Sequence, residues 1–391
     1  MFCLPRKAAL LIALLGFTPA LAEAQAPAPL VQAQSWLLYD RTAGQVLASS
    51  NPDIRWEPAS LTKLMTAYLV FEAVRDGRLG WQQVVEAPPA VRRVGNEESR
   101  MYLMPGNRVS VETLLSALMV ISANDAAVTL AHAVDGSEEA FVTRMNAAAA
   151  RLGMTGTHFN NPSGIPGPTH YTTAEDLLRL TLAFDHDFPQ IYAITRQQRF
   201  TFRQFRDVST NPLLTQDASV DGLKTGHTRA AGYNIIISSR RHATPAGGQD
   251  RGLIAVVLGA PSKAARAQSS RMLLDYGTNA FQLMDVLTAG QELQRSRIYG
   301  SQEGSVALGV EQSQTLALPA GTTSELRVSL DDATPFAPLP RGAVLGHVEA
   351  VSQDGTVLAS APLVTLQEAE PASWPVRLYD RIALLFSHWM G

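Results

Sequence analysis

Between residues 61 and 279 the hydrophobic pattern changes from a helical to a strand-like period. Apolar residues spaced three and four positions apart predict helices over Leu61–Asp76, Val111–Ile121 and Glu138–Leu152. Further on, two apolar runs, Gly232–Ser239 and Gly252–Leu258, predict neighbouring antiparallel strands. Helices and antiparallel strands within one segment are typical of an α+β domain.

Strand-like patterns also lie on either side of this segment. Ser35–Asp40 and Gln45–Ser49 flank a short turn and predict a β-hairpin. After Asp285 the helical period disappears, and short apolar runs follow at Val306–Val310, Thr315–Leu318, Leu326–Leu330, Val344–Val351 and Thr356–Ala359. We therefore expect a mixed domain at residues 30–284 and a small all-β domain at residues 285–367.

The start of the chain carries an export pattern. Residues 1–22 combine a charged start at Arg6 and Lys7, an apolar run too short to span a bilayer and small residues at positions 20–22. This pattern predicts a cleaved signal peptide, and an uncleaved anchor helix is the alternative. Cys3, the single cysteine, lies in this segment, so we expect neither a disulfide framework nor a cysteine-ligated metal site.

The end of the chain predicts an amphipathic helix over residues 376–391, after a linker at residues 368–375. Its apolar face comprises Leu378, Tyr379, Ile382, Leu385, Phe386 and Trp389, and its polar face Arg377, Asp380, Arg381, Ser387 and His388. Such a helix is ~24 Å long, less than the ~30 Å hydrocarbon core of a bilayer. We expect it to lie in a membrane interface; packing on its own protein is the alternative.

Charge and composition exclude several classes of function. A net charge of -3 provides no basic field for nucleic acid. The eight histidines are scattered without metal-ligand spacing, so we expect neither a metal nor a cofactor. Of the 32 basic residues only Lys7, Lys63, Lys224 and Lys263 are lysines. A lysine kept in so arginine-rich a chain raises the question of what an arginine could not do there, since an arginine does not lose its proton.

Lys63 belongs to the only S-x-x-K motif of the chain, Ser60-Leu61-Thr62-Lys63. Positions i and i+3 of a helix share one face, so the Lys63 amine can approach the Ser60 hydroxyl. A serine needs a neighbouring base to become a nucleophile, and a neutral lysine amine can be that base.

Two further motifs follow. Ser122-Ala123-Asn124 ends an apolar helix, where Ser122 can relay a proton and Asn124 can hold a substrate amide. Lys224-Thr225-Gly226 precedes a strand and is expected on a sheet edge, where Gly226 leaves room for an extended peptide. Lys224 adds positive potential that lowers the pKa of Lys63. Taken alone, the second motif is more typical of an ordinary helix junction and the third of an ordinary turn.

In this order and spacing the three motifs resemble those of the penicillin-recognising serine enzymes. The longer stretches Pro58–Thr66, Asn124–Ala126 and Asp221–Thr228 are similar to those of the low-molecular-mass D-alanyl-D-alanine carboxypeptidases of the bacterial periplasm. The resemblance implies a β-lactamase/DD-peptidase-like fold, with an antiparallel sheet flanked by helices. It also implies a periplasmic enzyme held on the outer face of the inner membrane.

The resemblance further implies acyl transfer on peptidoglycan stem peptides ending in D-Ala-D-Ala, with the active serine acylated by β-lactam antibiotics. Ser60 would attack the penultimate carbonyl, Lys63 would accept the proton and Ser122 would protonate the leaving D-alanine. Backbone N–H groups of Ser60 and His227 would form the oxyanion hole.

Substrate binding is implied for the same motifs. Asn124 would contact the peptide amide, and Lys224, Thr225 and Gly226 would line the site. An arginine is expected beside Thr225, but the segment Ser209–Pro212 contains none. Arg266 is our candidate, with Arg229 second. The segment Gly95–Leu103 would rim the site, and Lys263 is expected on the plain surface.

Three alternatives remain open at this stage. A serine β-lactamase shares the motifs, but Asn161–Gly164 stands where an E-x-x-L-N loop would be expected. A DD-endopeptidase acting on crosslinks would use the same residues. A non-catalytic wall-binding scaffold could keep the fold, although intact Ser60, Lys63 and Lys224 argue against it.

Overall fold

The computed structural model describes residues 28–241, 250–331 and 334–390, and of residues 387–390 the backbone alone. The signal peptide expected at residues 1–22 lies outside the described residues, as does the side chain of Trp389.

The mixed domain consists of strands and helices in the following order. The strands are β1 (Ser35–Asp40), β2 (Gln45–Ser50), β3 (Val84–Glu86), β4 (Arg108–Ser110), β5 (Arg199–Phe202), β6 (Phe205–Val208), β7 (Val220–Thr228), β8 (Gly232–Arg241) and β9 (Arg251–Ala260). The helices are α1 (Lys63–Arg75), α2 (Val111–Ser116), α3 (Asn124–Asp135), α4 (Glu138–Arg151), α5 (Ala174–Asp187), α6 (Ile191–Thr195) and α7 (Lys263–Asn279).

The main sheet is antiparallel and five-stranded, in the order β2-β1-β9-β8-β7, so β7 is an edge strand. Alternate side chains of its strands enter two separate cores, because successive residues of a strand point to opposite faces. Leu37 and Ile236 pack among the helices that include α1, whereas Leu38 and Ile237 pack against α7. The fold is therefore the expected antiparallel sheet flanked by helices.

The predicted helices are confirmed with local adjustments. Ser110, Ser137, Thr173 and Ser262 each accept a hydrogen bond from the N–H three residues ahead and start α2, α4, α5 and α7. α1 has no such side-chain cap and continues from a 3₁₀ turn at Ala59–Thr62. Its residues from Lys63 to Ala73 are all buried, which makes it the central helix of the domain.

The β domain consists of β10 (Phe281–Leu287), β11 (Gln294–Arg297), β12 (Ser305–Gly309), β13 (Gln314–Pro319), β14 (Ser324–Leu330), β15 (Val344–Ser352) and β16 (Val357–Thr365). Its five-stranded sheet has the order β11-β12-β16-β15-β14, and β10 pairs with β13. Because β10 begins at Phe281, the domain starts four residues before the boundary expected at residue 285. β11 escaped prediction because its sequence, Gln-Arg-Ser-Arg, has no apolar alternation.

Residues 368–375 differ from the expected free linker. Ala369 is buried and exchanges two backbone hydrogen bonds with Leu339, with N···O distances of 2.8 and 3.1 Å. Ala372 N–H donates to Gly300 O at 2.8 Å. The segment contains two prolines and two glutamates, which is typical of a linker, yet its backbone groups pair with the β domain. The chain therefore stays attached to that domain.

The last helix, α8 (Trp374–Met390), begins two residues earlier than expected and turns its polar face to the β domain. The buried Asp380 carboxylate accepts Gly300 N–H at 2.7 Å and lies 3.4 Å from Arg297. The Arg381 guanidinium lies 5.3 Å from the ring centre of Phe336. The helix therefore packs on its own protein, as in the alternative to a membrane interface, but it does so through its polar face.

The apolar face of α8 is exposed. The exposed fractions are 50% for Leu378, 70% for Tyr379, 44% for Ile382, 72% for Leu385 and 59% for Phe386. Among the described residues, no helix has both the length and the apolar character needed to cross a membrane.

Candidate active site

A cleft of about 800 Å³ lies beside the edge strand β7. Motif residues from distant parts of the chain line it together: Ser60, Ser122, Asn124, Thr225, Gly226, His227 and Arg266. The two motif lysines, Lys63 and Lys224, lie fully buried next to them.

Ser60 and Lys63 are within hydrogen-bonding distance. Lys63 Nζ lies 3.0 Å from Ser60 Oγ and donates to the carbonyl of Ser163 at 2.5 Å. Ser60 is in the 3₁₀ turn and Lys63 begins α1, so the predicted i, i+3 approach occurs where the 3₁₀ turn passes into the helix. The Ser163 carbonyl fixes the amine beside the serine.

The pKa of Lys63 is suited to a base. Burial lowers it to about 7 from its usual 10.5, while the carboxylates of Glu98 and Asp125 act in the opposite direction. A large fraction of the amine is therefore neutral near neutral pH, and its lone pair can accept the Ser60 proton.

The segment beneath Ser60 is held in an unusual conformation. Ala59 has a φ of +48°, which is rare for a residue with a side chain. Gly164 has a φ of +89°, and a Cβ at this position would overlap with the Ala59 carbonyl. Asn161 Oδ1 accepts the N–H groups of Ser163 and Gly164 at 3.1 and 2.7 Å. These contacts press Asn161–Gly164 against the nucleophile turn, a role that sequence reasoning missed although the Asn-Pro-x-Gly pattern marked a turn.

Ser122 has a hydroxyl that is free to act. It has a φ of +65°, is 4% exposed and follows a π turn that ends the predicted helix Val111–Ile121. Among the described residues its Oγ has no hydrogen-bond partner, although it lines the cleft. A buried hydroxyl without a partner at a cleft wall is available to a ligand.

The segment Gly95–Leu103 rims the cleft and is attached to the second motif. Asn124 N–H donates to Ser99 O at 2.7 Å, and Asn124 Nδ2 donates to Glu98 Oε2. The Asp125 carboxylate accepts the N–H groups of Met101 and Leu103.

The third motif lies on β7, at the sheet edge as expected. Lys224 is 1% exposed and donates to Thr225 O at 2.8 Å; burial, followed by the charges of Lys63 and Arg266, lowers its pKa well below the usual value. A Cβ at Gly226 would lie 2.9 Å from Pro58 O and 3.1 Å from Ser60 N. Gly226 therefore makes room for the nucleophile turn itself, in addition to the bare edge that we expected.

Arg266, our candidate for carboxylate binding, lies in the cleft wall. It is 5% exposed, and its guanidinium lies 5.9 Å from the Tyr233 ring centre. Burial lowers its pKa to about 10, so it stays charged at neutral pH. Among the described residues, its Nε has no partner. Arg229, the second candidate, is exposed and does not line the cleft.

Comparison with known proteins agrees with this geometry. The family model for D-alanyl-D-alanine carboxypeptidase matches residues 22–262, more than half of the chain. The chain belongs to the D-alanyl-D-alanine carboxypeptidase family. The model for the C-terminal domain of penicillin-binding protein 5 matches residues 281–371, which agrees with a β domain that begins at Phe281.

Relatives of the carboxypeptidase family match almost the whole chain. D-alanyl-D-alanine carboxypeptidase DacC from Escherichia coli is 34% identical over 377 residues, covering 95% of this chain and 92% of the relative. The crystal structure of penicillin-binding protein 5 from Haemophilus influenzae is 34% identical in sequence, with a TM-score of 0.75. The match covers 88% of this chain and 99% of that protein. Penicillin-binding protein D2 from Listeria monocytogenes, in its cefotaxime-bound form, is 32% identical in sequence, with a TM-score of 0.58. The match covers 65% of this chain and 100% of that protein.

Three residues in or next to this carboxypeptidase-family cleft were not assigned to it from sequence. Thr210 lines the cleft, and its Oγ1 accepts the Thr225 hydroxyl at 2.7 Å. Lys263, expected on the plain surface, lies on the cleft rim. Asn234 donates to the carbonyls of Glu57 and Pro58 at 2.8 and 3.2 Å and thus fixes the chain before Ser60 to β8. Single polar residues such as these carry no signal in the sequence.

No group of three or more His, Cys, Asp or Glu residues suited to a metal ion occurs in the part of the chain that the structure describes.

Proposed function

We propose that this protein removes the terminal D-alanine from peptidoglycan stem peptides that end in D-Ala-D-Ala, through an acyl-enzyme on Ser60. The observation that carries the proposal is the 3.0 Å approach of Ser60 Oγ to a buried lysine amine whose pKa is lowered to about 7. The family of the chain supports the reaction class.

In acylation, Ser60 Oγ attacks the carbonyl carbon of the penultimate D-alanine while its proton moves to Lys63 Nζ. The developing oxyanion is stabilised by the backbone N–H groups of Ser60 and His227. β7 packs closely on the Ser60 turn, since a Cβ placed at Gly226 would lie 3.1 Å from Ser60 N. This close packing supports the arrangement. The C–N bond then breaks, and the leaving amine takes its proton from the Ser122 hydroxyl, which Lys63 reprotonates.

In deacylation, water attacks the ester carbon and its proton passes to the neutral Lys63 amine. The ester C–O bond to Ser60 then breaks, and Lys63 returns the proton to Ser60 Oγ, which regenerates the hydroxyl and the neutral amine. A β-lactam reacts through the same acylation step, because its ring amide places a carbonyl at the position of the scissile bond. The covalent label that results reports the state of Ser60 without any turnover.

Recognition of the substrate carboxylate falls to Thr225 and Arg266. Arg266 is buried, charged and unpartnered at Nε among the described residues, and its charge also lowers the pKa of Lys224. An arginine–carboxylate pair in a water-poor wall is both strong and directional.

The test is D-alanine release from a pentapeptide that ends in D-Ala-D-Ala. Ser60→Ala is expected to lose all release and all covalent labelling by fluorescent penicillin. Ser360→Ala, at an exposed serine of β16, is the matched control and keeps both. Release that survives in Ser60→Ala would remove Ser60 as the nucleophile. Labelling without release by the unaltered protein would favour crosslink cleavage or a scaffold role.

For the location, we infer export by the sequence at residues 1–22 and attachment of α8 to the outer face of the inner membrane. The exposed apolar face of α8 and the attachment of its polar face to the β domain support this orientation. The helix is then parallel to the bilayer surface, with the β domain between the membrane and the catalytic domain.

A further inference from the structure

The cleft carries opposite charges on its two sides. Arg266 and Lys263 lie on α7, beside the sheet, whereas Glu97 and Glu98 lie on the rim segment Gly95–Leu103. The charge of Arg266 acts on Lys224, and the charge of Glu98 acts on Lys63. A substrate in this cleft therefore meets cationic side chains from α7 and carboxylates from the rim segment.

The Glu98 carboxylate is fixed in place. Its Oε1 accepts Gly95 N–H at 2.9 Å and its Oε2 accepts Asn124 Nδ2. The residue is half-buried, and among the described residues it forms no ion pair. Glu98 thus presents a held negative charge that acts on the buried Lys63 but forms no direct ion pair among the described residues, whereas the neighbouring Glu97 is exposed.

Two independent groups in the cleft are suited to contact a ligand. Ser122 Oγ and Arg266 Nε belong to residues that are 4% and 5% exposed, and both atoms lack partners among the described residues. Buried polar atoms in folded proteins are nearly always paired, so polar groups of a bound molecule are the natural partners here.

The direction of the substrate follows from the proposed function, on which this inference rests. With the terminal carboxylate at Arg266 and the scissile carbonyl at Ser60, the preceding residue lies one step further, about 3.3 Å along an extended chain. Asn124 lines the cleft, and its Nδ2 donates to Glu98 of the rim segment, so its Oδ1 remains to accept a substrate N–H. The third-residue side chain of the stem peptide then extends toward Glu98.

We propose that Glu98 selects stem peptides whose third residue carries a free primary amine. An ammonium group pairs with the held carboxylate, whereas an amine acylated in a crosslink is neutral and forms no ion pair. The enzyme therefore prefers stems whose third residue has not yet been used as an acyl acceptor. Lysine and diaminopimelate both provide this amine.

The experiment compares kcat/KM for D-alanine release from three pentapeptides that differ only at the third residue: L-lysine, Nε-acetyl-L-lysine and meso-diaminopimelate. The unaltered protein is expected to prefer lysine over acetyl-lysine about fivefold, the range of a partly exposed ion pair. Glu98→Gln is expected to bring this ratio to about one. Equal kcat/KM values for the lysine and diaminopimelate peptides mean that the enzyme recognises the amine alone. A lower value for one of them identifies the other as the preferred third residue.

Two variants serve as controls. Glu97→Gln removes the same charge from the exposed neighbour and is expected to change the ratio by less than about twofold. Glu98→Asp keeps the charge and is expected to keep the preference. An equal ratio in the unaltered protein, or a ratio that Glu98→Gln leaves unchanged, overturns the proposal.

A second readout separates this proposal from the carboxypeptidase activity. The same peptides are used as competitors against labelling of Ser60 by fluorescent penicillin, which reports cleft occupancy without hydrolysis. Suppose that no peptide releases D-alanine, but the lysine peptide competes better than the acetyl-lysine peptide and this difference disappears in Glu98→Gln. The proposed reaction then fails, while the selectivity for the amine is supported. Equal competition by lysine and acetyl-lysine peptides overturns the selectivity whatever the reaction.

Discussion

The cleft and the last helix depart from the usual distribution of polar and apolar groups in opposite ways. In the cleft, Lys63, Lys224 and Arg266 are buried, although long basic side chains are usually exposed. On α8, Leu385 and Phe386 are exposed while Asp380 is buried. The cleft buries charged side chains, and α8 exposes apolar ones.

The difference in burial bears on what each region can bind. Burial of an amine costs free energy, and the cost appears as a lowered pKa, which is the property that a base needs. Exposure of an apolar helix face also costs free energy, and this cost is relieved when another apolar phase covers the face. Under the proposed function, a small polar ligand would complete the cleft and an extended apolar surface would cover α8.

The strongest way to break this comparison is Lys63→Arg, which keeps the positive charge and removes the base. An arginine does not lose its proton, so we expect the second-order rate constant for acylation by fluorescent penicillin to fall about 10³-fold. Lys263→Arg, the same change on the cleft rim, is the control and is expected to alter the rate by less than about twofold. Near-normal acylation of Lys63→Arg would show that another group accepts the Ser60 proton.

A chain that ends at Ser373 tests the other region. Loss of α8 is expected to move the protein from the membrane fraction to the soluble fraction, with a partition change of about 10²-fold from the lost apolar contacts, while D-alanine release is unchanged. The full-length double variant Ile382→Glu and Leu385→Glu separates the apolar face from the mere presence of the tail and is expected to behave like the shortened chain. Continued sedimentation of the shortened chain with membranes would exclude α8 as the anchor.

Gly226→Ala sharpens the comparison within the cleft, because it alters packing and no charge. The new Cβ would lie 2.9 Å from Pro58 O and 3.1 Å from Ser60 N, so the nucleophile turn must shift. A shift of this size is expected to slow acylation by a factor between about 10 and 100. Gly80→Ala, where the nearest contact is an ordinary 3.6 Å, controls for loss of a glycine. Unchanged acylation in Gly226→Ala would mean that the turn tolerates displacement.

The smallest effect is a graded one, the pH dependence of acylation. Because the pKa of Lys63 is lowered to about 7, the amine is mostly neutral above that pH and mostly charged below it. The rate is therefore expected to fall about tenfold for each pH unit below about 7 and to level off above it. Stopped-flow labelling with fluorescent penicillin measures the profile. A midpoint near the usual lysine value of 10.5 would contradict the effect of burial.

Much of this protein follows from local sequence. Alternation and three-to-four spacing gave the hairpin β1–β2, the strands β8 and β9 and the helices α1 and α4 nearly to the residue. The order of the motifs indicated the family, which the family model confirmed. These features depend on neighbours within a few positions, and such neighbours are visible in the chain itself.

Other features exist only because distant segments meet. The Ser163 carbonyl that holds Lys63 is 100 positions away along the chain, and the Pro58 carbonyl bound by Asn234 is 176 positions away. The contact between Glu98 and Asn124, the burial of Ala369 in an apparent linker and the exposed direction of the α8 apolar face also depend on such meetings. Sequence alone determined which residue types the site contains and the elements that carry them. Tertiary structure decided their burial, and burial sets the pKa of Lys63, because desolvation depends on everything packed around the amine.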